Sequence, residues 1–191
     1  MKFKEDSAYI DLILAGDRHA FGLLVQKHQA FAFTLAVRIT KNEEDAKEVA
    51  QDSFIKIYHS LAQFERKSAF KTWLYKIIYH EALGKLRKNQ RQFLRVDELD
   101  SEGMEFGDFE TGLEAMQRAE RSKMIQEALD RIKPTEAAIL TLYYLEEQSI
   151  KEIQEITSYS ESNIKILLHR GRKNLMVEIS KAMENEKVNI S

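Results

Sequence analysis

Between Glu65 and Arg95 nine Lys and Arg stand against two Glu, interleaved with Phe70, Trp73, Tyr75 and Tyr79. Cations neutralise phosphates and rings offer faces on which unpaired bases stack, so this combination suits a surface that holds a single nucleic-acid strand. The same pattern describes an amphipathic core helix with a solvated basic side. Two further groups flank it. Upstream, Asp45, Glu48, Gln51 and Asp52 fall at helical spacings that make one polar, acidic surface. Acids in a first turn also favour the helix dipole, so a plain solvated face is the alternative reading. Downstream, the run SESNIKILLHRGRKNL carries Ser160, Ser162, Asn163, Lys165, His169, Arg170, Arg172 and Lys173, polar and basic groups of the kinds that reach base edges and phosphates.

Residues for covalent or metal chemistry are not in evidence. There is no Gly-rich phosphate loop, no pair of metal-spaced histidines and no nucleophile with an evident base. His28, inside an apolar stripe with no metal-spaced companion, reads as structural. The absence of cysteine excludes disulfides and cysteine-based zinc or redox sites. A binding protein without cofactor or metal is expected, not an enzyme.

These groups need elements to hold them. In 191 residues there is one proline and there are seven glycines, so few breakers interrupt helices, and 43% apolar residues suffice for real cores. An all-α chain follows. Asp6 or Ser7 can cap a short helix through about Ala15, with Ile10, Ile13 and Leu14 on its inner side, and Gly16 ends it. Asp17 caps a long helix to about Thr40. Asn42 opens a third, with Asp45 as a capping-box-like partner and Val49, Ala50, Phe54, Ile57, Tyr58 and Leu61 inside. After a loop, Ser68 caps a fourth helix to about Arg91, with Phe70, Trp73, Leu74, Ile77 and Ile78 inward.

The net charge of −2 hides a strong asymmetry: residues 97–120 carry nine acids against one Arg, directly after the basic block. Periodicity fails from Gln92 to about Gly112, which reads as a flexible acidic linker. A second set of helices follows. One spans Met116 to Ile132, and the next opens at Pro134 with Ala137, Ile139, Leu140, Leu142 and Tyr143 nearly buried all round. Ser149 and Glu152 form a capping box ahead of a short helix. Thr157-Ser158-Tyr159 is a turn, and Ser160 caps the last helix, with Ile164, Leu168, Leu175 and Ile179 packing inward. A short helix, a tight turn and a long helix with a basic outer side make a helix-turn-helix pattern.

Taken together, DAKEVAQDSFIKIY, then SAFKTWLYKIIYHEAL followed by KLRK, then SIKEIQEITSYSESNIKILLHRGRKNL, in this order and spacing, resemble the sigma-70 family of bacterial initiation factors. More narrowly they resemble its extracytoplasmic-function (ECF) group, which retains the second and fourth sigma regions. The resemblance implies two small helical domains: region 2 as a four-helix bundle over 1–92 and region 4 over 113–183, with the linker at 93–112 and a tail at 184–191. It also implies partners. Asp45, Glu48, Gln51 and Asp52 would dock on core RNA polymerase. Lys67, Ser68, Lys71, Lys76, His80, Lys85, Arg87 and Lys88 would hold the melted −10 promoter element. Ser160, Ser162, Asn163, Lys165, His169, Arg170, Arg172 and Lys173 would bind the −35 element as duplex. An anti-sigma factor is a further implied partner.

Departures from the family pattern are His80 for Asn, Gly84 for Asp, Lys47 for an acid, Ser158 for Gly and Leu167 for a basic residue. The competing function is a stand-alone helix-turn-helix regulator, which would be a dimer on a palindrome, whereas the sigma reading expects a monomer when free. The charged start, MKFKEDSAYID, and the lack of any apolar run of spanning length imply a cytoplasmic protein with no membrane insertion.

Overall fold

The computed structural model describes residues 5–93 and 118–189. Every regular element among them is helical. The expected linker, and Met116 with it, lies outside the described residues apart from its first position.

Helix α1 (Asp6–Leu14) is nine residues long and buries Tyr9 and Ile10. Two expectations fail here. Glu5, not Asp6 or Ser7, holds the cap position, without a side-chain bond. Asp6 turns instead to α2, taking the Lys27 ammonium at 2.7 Å and the His28 ring at 2.9 Å. Leu14, in the last turn, remains 52% exposed. Gly16, at φ 100, reverses the chain as a residue with no Cβ can. Asp17 then caps α2 (Arg18–Thr40) by accepting from the His19 and Ala20 amides. Buried Leu24, Ala32, Leu35, Ala36 and Ile39 make its stripe. His28 is buried, bonded to Asp6, with its ring edge-on to Phe70. It is structural.

Asn42 accepts from the Asp45 amide to cap α3 (Glu43–Ser60). Val49, Phe54 and Ile57 face inward, but Tyr58 is 39% exposed and meets Phe21 edge-on at 4.8 Å. A phenol hydroxyl is better satisfied in water than among aliphatic chains, which favours this outward tilt. A 3-10 turn at Leu61–Gln63 leads to α4 (Phe70–Phe93). The Ala69 carbonyl takes its first bonds, from the Thr72 and Trp73 amides, one residue later than a Ser68 cap would require. Phe64, Phe70 and Trp73 form one ring cluster with centroids 5.2–5.8 Å apart, so Trp73 is a packing residue.

The second domain comprises α5 (Arg118–Arg131), α6 (Pro134–Leu140), α7 (Ile150–Thr157) and α8 (Glu161–Asn189). Beyond Leu140 the helix widens into a π turn, Thr141–Leu145, closed by the Glu146 amide on the Thr141 carbonyl. This extra residue per turn rotates Tyr143, Tyr144 and Leu145 outward, against the expectation that Tyr143 is buried. Both halves of the Ser149–Glu152 capping box are present at α7. Ser158 ends α7 in the left-handed region at φ 63, and Ser160 accepts from the Asn163 amide to start α8. A Cβ on Gly171 would stand 3.1 Å from a Leu140 methyl, so glycine lets α8 approach α6 closely.

The two domains pack on one another. Helix α7 lies along α4 and α6 against α2. The apolar core runs without a break from Leu35 and Tyr75 to Ile139, Ile156 and Ile164. A smaller cluster, Met124, Ala128 and Ile179, ties α5 to α8. Among the described residues no helix is long and apolar enough to cross a membrane, and no group of metal-ligating side chains gathers.

Candidate nucleic-acid and polymerase surfaces

On α3, Glu48, Gln51 and Asp52 are exposed and Asp45 is half-buried, so the four form one acidic side as their spacing requires. Two of the carboxylates are already engaged. The Lys85 ammonium of α4 stands 2.6 Å from Glu48 and 3.3 Å from Asp45. The Asn89 amide donates to the second Asp45 oxygen at 2.6 Å. The hydrogen bond that the Lys85 ammonium donates to Glu48, aided by Asp45, pushes the Lys85 pKa up. Beside this cluster a groove of about 160 Å³ separates α3 from α4, lined by Glu48, Val49, Asp52, Glu81, Gly84, Lys85 and Lys88. Gly84, where the resembled family has a side chain, leaves that space open: nothing lies within 4 Å of the position a Cβ would take.

The cations assigned to the single strand separate into sets. Lys76, His80, Arg87 and Lys88 are exposed on α4. Lys67, in the loop ahead of α4, pairs with Glu65 at 2.5 Å and is 81% exposed, with half-buried Ser68 beside it. Lys71 and His80 lie against the second domain. Burial first, then Lys76, Arg87 and Lys56, lowers the His80 pKa, opposed by its bond to the Ile156 carbonyl.

On α8, Ser162, Asn163, Lys165, His169, Arg170 and Arg172 are exposed, Ser160 stands at the cap, and Lys173 is half-buried. Lys165 is held by Glu161 one turn back at 2.6 Å. Arg172 donates to the Tyr144 hydroxyl at 3.3 Å. Ile164 and Leu168 turn inward, as the helix-turn-helix pattern requires.

Known proteins match this arrangement along most of its length. Residues 24–92 match the family described as Sigma-70 region 2, and residues 122–175 match Sigma-70, region 4. RNA polymerase sigma factor YlaC of Bacillus subtilis (strain 168) is 31% identical over 152 residues, 79% of this chain and 87% of that one. The chain is a sigma factor of the sigma-70 family. It falls in the ECF group: the ECF RNA polymerase sigma factor SigW of the same strain is 27% identical over 176 residues, 89% of this chain and 94% of that one. Two solved structures share the fold. One is CnrH in complex with the cytosolic domain of CnrY, at TM-score 0.61 and 22% identity, covering 92% of this chain and 97% of that one. The other is the sigma factor RpoE in complex with the anti-sigma factor NepR from Bartonella quintana, at TM-score 0.63 and 17% identity, covering 84% and 96%.

The sigma factor therefore confers promoter-specific initiation on core RNA polymerase. Its regions 2 and 4 meet through polar contacts that sequence patterns did not single out. At one end of the interface Arg38, 4% exposed, forms an ion pair with Asp130, and the Lys41 ammonium donates to the Leu129 carbonyl at 2.8 Å. Both cations sit at the C-terminal end of α5, where unpaired carbonyls and the helix dipole favour positive charge. At the other end Tyr75 donates to a Glu146 carboxylate oxygen at 2.5 Å, and Lys71 reaches the Glu146 carbonyl at 3.4 Å. Tyr79 is fully buried, its hydroxyl facing Tyr159 without reaching hydrogen-bond geometry. One signal was available in the sequence: Arg38 interrupts the apolar stripe of α2, and a cation there requires a partner when buried. Lys85 carried no such mark, because its partners are 37 and 40 positions away in sequence.

Proposed function

We propose that Asp45, Glu48, Gln51 and Asp52 form the surface that docks on core polymerase. Lys85 and Asn89 hold Asp45 and Glu48 in place from α4, so Lys85 belongs with this surface and not with the promoter strand. Lys67, Ser68, Lys71, Lys76, His80, Arg87 and Lys88 bind the opened −10 element, and the exposed side of α8, from Ser160 to Lys173, binds the −35 duplex. The domains are assigned to 1–92 and 113–183, with the chain between serving as tether. The factor works in the cytoplasm, performs no chemistry of its own, is a monomer when free and is held in check by an anti-sigma factor.

The observation that supports this reading best is the coexistence, in one chain, of a region 2 match carrying an acidic α3 and a region 4 match carrying an exposed basic α8. Its test is reconstitution with bacterial core polymerase on a pool of genomic promoters. New transcripts that share two elements upstream of their start sites support it. Failure to bind core, with dimeric binding to duplex DNA, overturns it.

A further inference from the structure

Among the described residues of α8, Ile164 and Leu168 are buried, yet Ile166 between them is 48% exposed. A single isoleucine on a surface is ordinary, so its place on the helix is what matters. At about 100° per residue, Ser162, Asn163, His169, Arg170 and Lys173 fall within about 60° of Ile166 around the helix axis. Ile164, Leu168 and Gly171 lie about 140–160° away, on the side packed against α6 and α7. Ile166 therefore stands at the crest of the side assigned to the −35 duplex, with polar and basic groups around it.

A crest made only of donors and acceptors would read hydrogen-bonding edges alone. The major groove presents one apolar group beside those edges, the C5-methyl of thymine. Set against a base nitrogen or oxygen, the isoleucine would strip water from a polar atom and give it no partner. Set against the methyl, it buries apolar surface on both sides. Branching at Cβ leaves Ile166 one favoured χ1 rotamer in a helix, so little side-chain freedom is lost on docking. Asn163, one turn back on the same side, carries the amide that suits adenine N6 and N7.

We infer that Ile166 reads one thymine of the −35 element through its C5-methyl group. It thereby sets a preference at that position which the polar residues of α8 do not supply. The inference rests on the assignment of α8 to the −35 duplex.

Holoenzyme reconstituted from the full chain and core polymerase is titrated with promoter duplexes in which single −35 thymines are replaced by deoxyuridine. The replacement removes a methyl and leaves every hydrogen-bonding edge in place. The expected result is a loss of about 4-fold at one position, as burial of a single methyl gives. In Ile166→Ala the thymine and deoxyuridine duplexes bind alike at that position, with the urea midpoint unchanged because the side chain is exposed. If deoxyuridine weakens binding at no position, the inference is overturned. A loss that persists in Ile166→Ala overturns it equally, since another group then reads the methyl. The double variant Arg170→Ala/Arg172→Ala tests the assignment beneath it. Weaker binding of every duplex keeps α8 as the −35 side whatever Ile166 does, and unaltered binding ends both.

Discussion

The Lys85 ammonium bridges Glu48 and Asp45, joining α4 to the acidic side of α3. A lysine counted among strand contacts by its place in a basic run is thus a support for two carboxylates on the neighbouring helix. The consequence is a sharp contrast between two substitutions.

Lys85→Ala leaves Asp45 and Glu48 without their cation and frees Glu48 to adopt other rotamers. The expected outcome is core-polymerase affinity lowered several-fold, or roughly 1 kcal/mol, with global stability changed by no more than about 1 kcal/mol. Asp52→Arg, on the same side but exposed and outside the Lys85 cluster, abolishes transcription while the fold remains intact. Titration of labelled factor with core, beside urea unfolding, distinguishes interface loss from unfolding.

Lys165 projects from the exposed side of α8, one turn from the Glu161 that holds it. Lys165→Ala should weaken −35 duplex binding by about 1–3 kcal/mol if the ammonium contacts a base edge, and should relax preference at that position. A uniform loss across sequences, with a shallower salt dependence, would place it on a phosphate instead. Competition between duplexes that differ at single −35 positions decides between them.

Ser158 adopts φ 63 between α7 and α8, where a side chain crowds the following carbonyl. Ser158→Gly removes that strain at the cost of a freer unfolded chain, for a net gain of about 0.5–1 kcal/mol. Its hydroxyl is exposed, so no buried partner is lost. The midpoint of urea unfolding reports the change.

Lys41 predicts a pH effect on the closure of the two domains on one another. Burial chiefly, with Arg38 adding and Asp130 opposing, lowers its pKa from 10.5 to about 8 in the closed chain. Below pH 8 it is protonated in both open and closed chains, and closure bears the full desolvation cost. Between pH 8 and 10.5 the closed chain loses the proton while the open chain keeps it, so raising the pH favours closure. The radius of gyration should fall through this window, and Lys41→Met should flatten the dependence.

What the sequence alone determined was local. Helix starts at Asp17, Asn42, Ser149 and Ser160 follow from short side chains bonding amides two or three residues ahead, an interaction that needs no distant partner. The acidic side of α3 and the inward Ile164 and Leu168 follow from helical periodicity in the same way. Tertiary structure decided which cations face outward. Lys85 and Lys71 sit in the same basic run as Lys76 and Lys88, yet the first is taken by α3 and the second by the Glu146 segment. It also decided the fate of the rings: Tyr75 and Tyr79 are hidden while Tyr58 and Tyr143 are not, because a second domain lies along one side of α4 and a π turn rotates the chain after Leu140. Periodicity names the sides of a helix, but only the partner packed against each side, often some seventy residues distant, determines what that side can bind.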